Sequence, residues 1–340
     1  FLVISGGVVK WYTATQVDYQ SWLVLSILYS VLYMPTLALS NSITFSHISD
    51  QENDFPKIRV WGTLGWIAAS WAFPMIWLQT DLQFQMMPPF FVGTEVPQVT
   101  SRLADALKFS GIISICYGVF CFSLPHTPPK KDAVDQLAFK KAFGVFRYSS
   151  FAVLVLASLA ISIIHQIYFL QTGPFLSSIG ILDSQIGPAM TIGQFAEILT
   201  MAYLGYFLKN IGFKKVITIG IAAYCIRYAI FGSESLPVWI IVLSQAFHGF
   251  CYAFFFAAAY IYVDKIADED VRHSAQTVFG IIILGGGPVI GGWLSGFLQS
   301  ANTVNNVFNF STFWYTLSLI GFITTVLFFM FFKEELAERE

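Results

Sequence analysis

The chain has 340 residues, of which 56% are hydrophobic and 11% are charged, and its formal net charge is −2. Soluble domains carry about 25% charged residues, so the composition excludes an ordinary soluble domain. The balanced charge also excludes the strongly basic surface that binds nucleic acid. With a mean hydropathy of +0.66, the chain is predicted to lie in a lipid bilayer.

Apolar windows of about twenty residues, the length of a membrane-spanning helix, follow one another along the sequence. We interpret residues 1–12 as the tail of a helix that begins before Phe1. Nine complete spans are predicted after it, at 21–46, 58–78, 104–124, 150–172, 186–208, 214–233, 237–263, 273–298 and 309–332. The predicted fold class is therefore all-α, in a polytopic membrane protein.

The four cysteines all fall inside these apolar windows and show no CxxC spacing. They are Cys116, Cys121, Cys225 and Cys251. We interpret them as buried, reduced thiols that pack as small hydrophobic side chains, and we expect neither a disulfide framework nor a metal site.

The distribution of Lys and Arg predicts the orientation, because short cytoplasmic loops are enriched in both residues. Alternate connections and the C-terminal tail hold thirteen of the 18 basic residues, and the opposite side holds only Lys10, Arg102 and Lys108. Arg59 and Arg227 lie at or within spans. The C-terminus and the loop at 125–149 are therefore predicted to be cytoplasmic.

The segment 125–149 is the longest predicted cytoplasmic connection and divides the chain. An amphipathic helix at the membrane interface is predicted around residues 137–146. Residues 1–124 are then the remainder of an N-terminal half of six helices, 150–333 a C-terminal half of six helices, and 334–340 a cytoplasmic tail. Two helices and part of a third are expected to precede the chain. Repeated halves around a midplane site are typical of secondary transporters.

A glycine-rich stretch at 285–292 lies within the predicted span 273–298. No GxxxxGK[ST] pattern follows it, so a phosphate-binding loop is not predicted, and ATP-driven transport by this chain alone is not expected. Gly287 and Gly291 are instead predicted to be the small residues of a close helix contact. Pro288, between them, predicts a kink.

Polar side chains within spans indicate a binding site or pathway, because lipid does not solvate them. Arg59, Thr63 and Trp66 fall at i, i+4 and i+7 of the span 58–78, hence on one helix face. One interpretation is an arginine that reaches the interface beside a packing tryptophan. The other is a donor, a hydroxyl and an aromatic plate that face a polar ligand with a flat ring.

Gln194 and Glu197 share one face of the span 186–208, and Glu197 is the only carboxylate well inside a complete span. Such a group is either a structural acid or a residue that binds substrate or carries a proton. Two polar–aromatic pairs lie on other spans, and these are Gln166 with Phe169, and His248 with Tyr252. Each pair alone is also compatible with a simple interhelical hydrogen bond, but their coincidence favours a site.

Residues 55–66, with the sequence FPKIRVWGTLGW, resemble the fifth-helix signature of the nucleoside:proton symporters of the major facilitator superfamily. Similar matches occur at 33–37 (YMPTL), 124–126 (LPH), 194–197 (QFAE), 274–276 (SAQ) and 291–292 (GG). The resemblance covers nearly the whole chain. It implies a twelve-helix fold, of which this chain holds part of the third helix through the twelfth, in the bacterial cytoplasmic (inner) membrane.

The resemblance also implies a nucleoside site lined by hydrogen-bonding and aromatic side chains. The implied substrate-binding residues are Arg59, Thr63, Trp66, Gln166, Phe169, Gln194, Glu197, His248 and Tyr252. Two positions depart from the family pattern. Phe169 stands where an asparagine is expected, and Ala253 stands where an acidic residue is expected, which leaves Glu197 as the proton-coupling candidate.

The predicted function is import of nucleosides with protons by alternating access, with the proton gradient as energy source and no cofactor. A proton symporter of another neutral polar solute, such as a sugar or glycoside, is the alternative, because a fold does not fix its substrate. A membrane sensor that binds a ligand without moving it is a third. An enzyme is not expected, since no HExxH, GxSxG or paired-aspartate motif lies within a span. Nucleosides, protons and the lipid bilayer are the expected partners of a monomer.

Overall fold

A computed structural model describes residues 1–48, 51–86, 91–127, 146–233, 235–267 and 272–334 of the chain. Within these residues, seven helices are long and apolar enough to cross a membrane, so the chain is a multi-pass membrane protein. It divides into two compact units, which are Phe1–Gln85 with Phe90–Asp132, and Met86–Pro89 with Ala133–Glu340. The amphipathic helix predicted around 137–146 lies outside the described residues, apart from Phe146.

The helices described in the first unit are α1 Leu2–Thr13, α2 Tyr19–His47, α3 Gln51–Phe73, α4 Val99–Leu103 and α5 Asp105–Phe120. A π-helical turn at Pro74–Leu78 extends α3, and a 3-10 turn at Cys121–Ser123 extends α5. Asp18 caps the start of α2, because its carboxylate accepts a hydrogen bond from the backbone N of Ser21 at 2.8 Å.

Helices α1 and α5 pack through a pair of glycines. A Cβ atom added at Gly7 would lie 2.7 Å from the carbonyl oxygen of Gly111, and one added at Gly111 would lie 2.7 Å from that of Gly7. In a bilayer, where hydrophobic burial does not drive helices together, such backbone contact is a main source of attraction. The residues predicted as a helix tail at the start of the chain therefore have a fixed place in the first unit.

The helices described in the second unit are α6 Ser149–Ser178, α7 Asp183–Gly232, α8 Val238–Ile266, α9 Arg272–Gly280, α10 Gly287–Ala301 and α11 Phe310–Phe331. Helix α8 includes a 3-10 turn at Ser244–Ala246 and a π-helical segment at Cys251–Ala257. A second π-helical segment, Ile281–Gly286, joins α9 to α10.

All nine predicted spans fall on helices, with ends that differ by a few residues. Helix α7 carries two of them, 186–208 and 214–233, which are separated at Gly212 by a non-helical backbone with φ 78 and ψ 167. Helix α3 carries the span 58–78 but is not among the seven apolar helices.

In the described part of the chain, two short antiparallel hairpins accompany the helices and were not predicted. Strand β1 Gln79–Phe84 pairs with β2 Phe91–Glu95, and β3 Thr303–Val304 pairs with β4 Val307–Phe308. The turn of the second hairpin consists of Asn305 and Asn306, whose φ values are 52 and 62. Positive φ at both turn residues is the requirement of a type I′ hairpin, and asparagine tolerates it.

The glycine-rich stretch packs against α6, as predicted. A Cβ atom at Gly287 would collide with the side chain of Ser162, and one at Gly291 would lie 2.8 Å from the carbonyl oxygen of Ile163 and 3.0 Å from Cβ of Gln166. The prediction that Gly287 and Gly291 form a close helix contact is confirmed. Pro288 lies in the first turn of α10, directly after the π-helical segment Ile281–Gly286.

The cysteine prediction is correct for the thiols and wrong for their burial. All four cysteines are free, but only Cys251 is buried, Cys121 and Cys225 are half-buried, and Cys116 is exposed on α5. The physical reason is the solvent. Lipid covers apolar helix faces as well as protein does, so an apolar window in a membrane protein does not imply burial within the chain.

Candidate functional site

Two helices of the second unit cross at glycines beside the predicted polar residues. A Cβ atom at Gly193 of α7 would lie 2.8 Å from Cβ of His248, and one at Gly249 of α8 would lie 2.5 Å from the carbonyl carbon of Ala196. The backbones of α7 and α8 are therefore in direct contact. Gly193 precedes Gln194 and Gly249 follows His248 in the chain, so this contact brings the two predicted polar positions together.

Gln194 is buried at this crossing with half of its amide unsatisfied. Its side chain is 6% exposed, and Oε1 has no hydrogen-bond donor among the described residues. A buried polar atom without a partner costs about 1–3 kcal/mol, so this oxygen favours a ligand that donates a hydrogen bond. Glu197, one turn later on the same face, is half-buried.

Three predicted aromatic and heteroaromatic residues form a continuous wall. The ring of Phe169 lies 6.1 Å from that of His248 at an interplanar angle of 87°, and Tyr252 lies 6.4 Å from His248 at 28°. Phe169 is 37% exposed and Tyr252 is half-buried. Rings that meet at their edges and faces in this way offer an apolar surface to another flat ring.

Gln166 lies on the same helix as Phe169 but packs beside α10. It is half-buried, and its Cβ would be 3.0 Å from a Cβ atom at Gly291. A second glutamine on α6, which was not predicted, forms the polar contact between these helices. Gln171 donates from Nε2 to Ser295 Oγ at 3.0 Å and to Gln299 Oε1 at 3.1 Å.

Arg227 lies at the centre of the second unit, but it was not among the predicted site residues. Its side chain is 0% exposed, and Cζ lies 4.0, 5.1 and 5.4 Å from the ring centres of Tyr168, Tyr228 and Tyr224. No carboxylate among the described residues pairs with it. Burying an ion costs several kcal/mol, and cation–π contacts contribute about 2 kcal/mol each when they are desolvated, so the three rings offset much of that cost.

Histidine side chains connect the arginine to the predicted site. Nη1 of Arg227 lies 3.1 Å from Nδ1 of His248. The ring of His165 stacks on His248 at 5.6 Å and 14°, and its Nδ1 lies 2.8 Å from the hydroxyl oxygen of Tyr224. A charge inside the apolar span 214–233 was the available signal for this group. The Arg227 cluster consists of Arg227, His165, Tyr168, Tyr224, Tyr228 and His248.

The predicted residues of the first unit belong to α3. Thr63 is half-buried, and Trp66 is 51% exposed. The side chain of Arg59 lies outside the described part of the structure, so its orientation stays a prediction. Among the described residues, no group of three or more His, Cys, Asp or Glu side chains is placed to hold a metal ion.

Several known proteins resemble this chain in sequence over most of its length. The sequence model of the family described as Nucleoside H+ symporter matches residues 1–337. YegT of Escherichia coli (strain K12) is 33% identical over 349 residues, which cover 98% of this chain and 77% of YegT. Nucleoside permease NupG of the same organism is 28% identical over 347 residues, or 96% of this chain and 78% of NupG.

The crystal structure of a mutant of nucleoside transporter NupG has the same fold. It superposes with a TM-score of 0.82 at 25% identity and covers 98% of this chain and 82% of that chain. The predicted major facilitator fold is thereby confirmed. Because the family model spans nearly the whole length and the identity to YegT is sustained across it, this chain belongs to the nucleoside H+ symporter family.

Proposed function

We propose that the chain imports nucleosides together with protons across the bacterial cytoplasmic membrane, with its C-terminus in the cytoplasm. The observation that carries the proposal is the juxtaposition at the α7–α8 crossing. There, an unsatisfied buried amide oxygen on Gln194 lies beside a helix that presents His248 and Tyr252. A nucleoside is uncharged, carries hydroxyl and N–H donors, and has one flat ring, which matches these groups.

The polar residues of the second unit have distinct roles in this proposal. Gln194 accepts a hydrogen bond from a hydroxyl or N–H group of the nucleoside. Glu197 hydrogen-bonds the sugar and carries the coupled proton, since it is the carboxylate that the sequence places well inside a span. Gln166 offers its amide to the base or ribose.

The remaining residues bind the ring and complete the site. Phe169 and Tyr252 provide the apolar surface for the base. On α3, Arg59 and Thr63 donate hydrogen bonds to the nucleoside, and Trp66 packs on it. Alternating access of the two halves then exposes the site to one side of the membrane at a time.

Uptake by whole cells tests the proposal. The full-length protein, expressed in cells that lack nucleoside uptake, should accumulate labelled uridine or adenosine, and a protonophore should abolish the accumulation. Unlabelled nucleosides should compete at concentrations at which hexoses do not. Competition by hexoses instead would identify a sugar symporter, and uptake that is indifferent to the protonophore would overturn proton coupling while leaving the substrate class intact.

A further inference from the structure

The hydrogen bond between Arg227 and His248 determines where the imidazole carries its proton. A guanidinium group only donates hydrogen bonds, so Nδ1 of His248, at 3.1 Å from Nη1, must be the acceptor. A neutral imidazole with an unprotonated Nδ1 carries its hydrogen on Nε2. Protonation of Nδ1 would place two hydrogen-bond donors, each on a cation, 3.1 Å apart without an acceptor.

The guanidinium group is held in place on several sides, so it does not rotate away. Nη2 donates to the hydroxyl of Tyr228 at 3.4 Å, and that hydroxyl donates to the carbonyl oxygen of Ile164 on α6 at 2.9 Å. Tyr168 covers the guanidinium face, and its own hydroxyl donates to Gln245 Oε1 at 2.9 Å. These contacts come from α6, α7 and α8 together.

The ring of His248 is fixed in the same way. Near-parallel rings lie on it at 5.6 Å from His165, 5.6 Å from Tyr168 and 6.4 Å from Tyr252. Arg227 is the charged side chain that contacts it, and Tyr224 and Tyr228 lie around the guanidinium group. Glu197 lies on the neighbouring α7, one turn after Gln194. No described residue forms a hydrogen bond with Nε2, the nitrogen on the edge opposite Arg227.

We propose that Arg227 is a positioning residue that keeps His248 neutral with its hydrogen on Nε2, so that His248 gives the ligand an N–H donor and carries no coupling proton. The role of Nε2 toward a ligand rests on the proposed function. The ligand atom that meets Nε2 is then an acceptor, such as a carbonyl oxygen of the base or a sugar oxygen. Proton coupling is left to the carboxylate of Glu197.

Nitrogen NMR of the full-length protein tests the proton position without any ligand. With ¹⁵N-labelled histidine in lipid nanodiscs, and with His248→Gln to assign the signal, Nδ1 of His248 should be unprotonated and Nε2 protonated from about pH 5 to 8, where a free histidine changes charge. A proton on Nδ1, or a doubly protonated ring within that range, would overturn the proposal. This result stands whether or not the protein binds nucleosides.

Substitution of the arginine tests whether it is the cause. Arg227→Gln removes the obligate donor, and His248 should then show a mixture of tautomers or a second proton at acidic pH. Gln171→Leu is the matched control, because it also changes a buried polar residue of this unit but does not contact His248, and its spectrum should match the wild type. An unchanged His248 signal in Arg227→Gln would overturn the positioning role.

Uridine binding tests whether the tautomer of His248 affects the affinity for the ligand. In a Glu197→Gln background, which removes the carboxylate titration, the Kd for uridine should stay constant from about pH 5 to 8, and adding Arg227→Gln should weaken binding about tenfold on the acid side. A pH-dependent Kd with Arg227 present would refute the proposal. If Arg227→Gln does not fold, the wild-type NMR spectrum decides, and if uridine does not bind the wild type, only the proposed function fails.

Discussion

The α6–α10 and α7–α8 crossings of the second unit are both built on pairs of glycines, and each buries a glutamine. Gln171 at the first crossing is 7% exposed, and Gln194 at the second is 6% exposed. The amide of Gln171 donates to Ser295 and Gln299, whereas Oε1 of Gln194 has no donor among the described residues. Residue type and burial are the same, and the hydrogen bonding differs.

This difference distinguishes a glutamine whose amide joins two helices from a glutamine whose amide can bind a ligand. A buried amide that is satisfied within the protein contributes to helix association and gains nothing from a substrate. A buried amide with an unsatisfied oxygen is stabilised only when a donor arrives. The comparison supports the proposed role of Gln194 in binding and a structural role for Gln171, and substitutions at the two crossings test both roles.

Removing the titratable carboxyl group beside Gln194 should have the largest effect on transport. Glu197→Gln keeps the shape and much of the hydrogen bonding but cannot exchange a proton, so uridine should still bind while gradient-driven accumulation is lost. Labelled uptake and equilibrium binding, measured on the same preparation, distinguish the two steps. If accumulation persists with normal affinity and normal pH dependence, Glu197 does not couple protons. If binding weakens by about 1–3 kcal/mol and the residual uptake still depends on protons, Glu197 holds the sugar hydroxyls instead.

Replacing Gln194 by leucine should weaken binding without weakening the protein. The substitution removes an unsatisfied buried oxygen and keeps the side-chain volume, which is neutral or stabilising for folding. The ligand loses a hydrogen bond, so the Kd for uridine should rise about tenfold, or 1.4 kcal/mol. Titration of uridine binding and thermal unfolding in detergent measure the two quantities. A lower Tm with an unchanged Kd would reverse the assignment and make Gln194 a scaffold residue.

The glycine contact at the site should be intolerant of a methyl group. In Gly249→Ala, the new Cβ would lie 2.5 Å from the carbonyl carbon of Ala196, so α7 and α8 must separate, at a cost of about 1–3 kcal/mol. Gly205→Ala on α7 is the matched control, since nothing lies within 4 Å of the position of its Cβ. Thermal unfolding of both variants should show a lower Tm for Gly249→Ala alone. Equal Tm values would mean that the crossing is looser than the structure shows.

The spans and most of the candidate site could be predicted from the sequence because both depend on local patterns. Apolar windows predict the helices, and spacings of three or four residues place Gln194 with Glu197, and His248 with Tyr252, on single helix faces. The end of α11 at Phe331 agrees with the prediction within one residue. The pair Asn305 and Asn306 is a hairpin signal in the sequence, but it lies between two apolar windows and was not used.

The Arg227 cluster could not be predicted in the same way, because its partners lie on three helices. The sequence shows a charge within a span but not that Tyr168 on α6 and His248 on α8 meet it. Which of two buried glutamines is satisfied is likewise a property of packing. Gln171 meets Ser295 and Gln299 across 124 and 128 residues of sequence, a separation over which helix periodicity carries no information.

The smallest effect is expected at the satisfied glutamine. Gln171→Ala removes its hydrogen bonds to α10, and because interhelical hydrogen bonds in membrane proteins contribute about 0.6 kcal/mol on average, the Tm should fall by only a small amount. The Kd for uridine should equal that of the wild type, since Nε2 of Gln171 is engaged by Ser295 and Gln299. Ser295→Ala removes the acceptor from the other side, and the double variant should be no worse than the sum of the two. A rise in Kd at Gln171 as large as that at Gln194 would show that hydrogen-bond satisfaction does not distinguish scaffold from site in this protein.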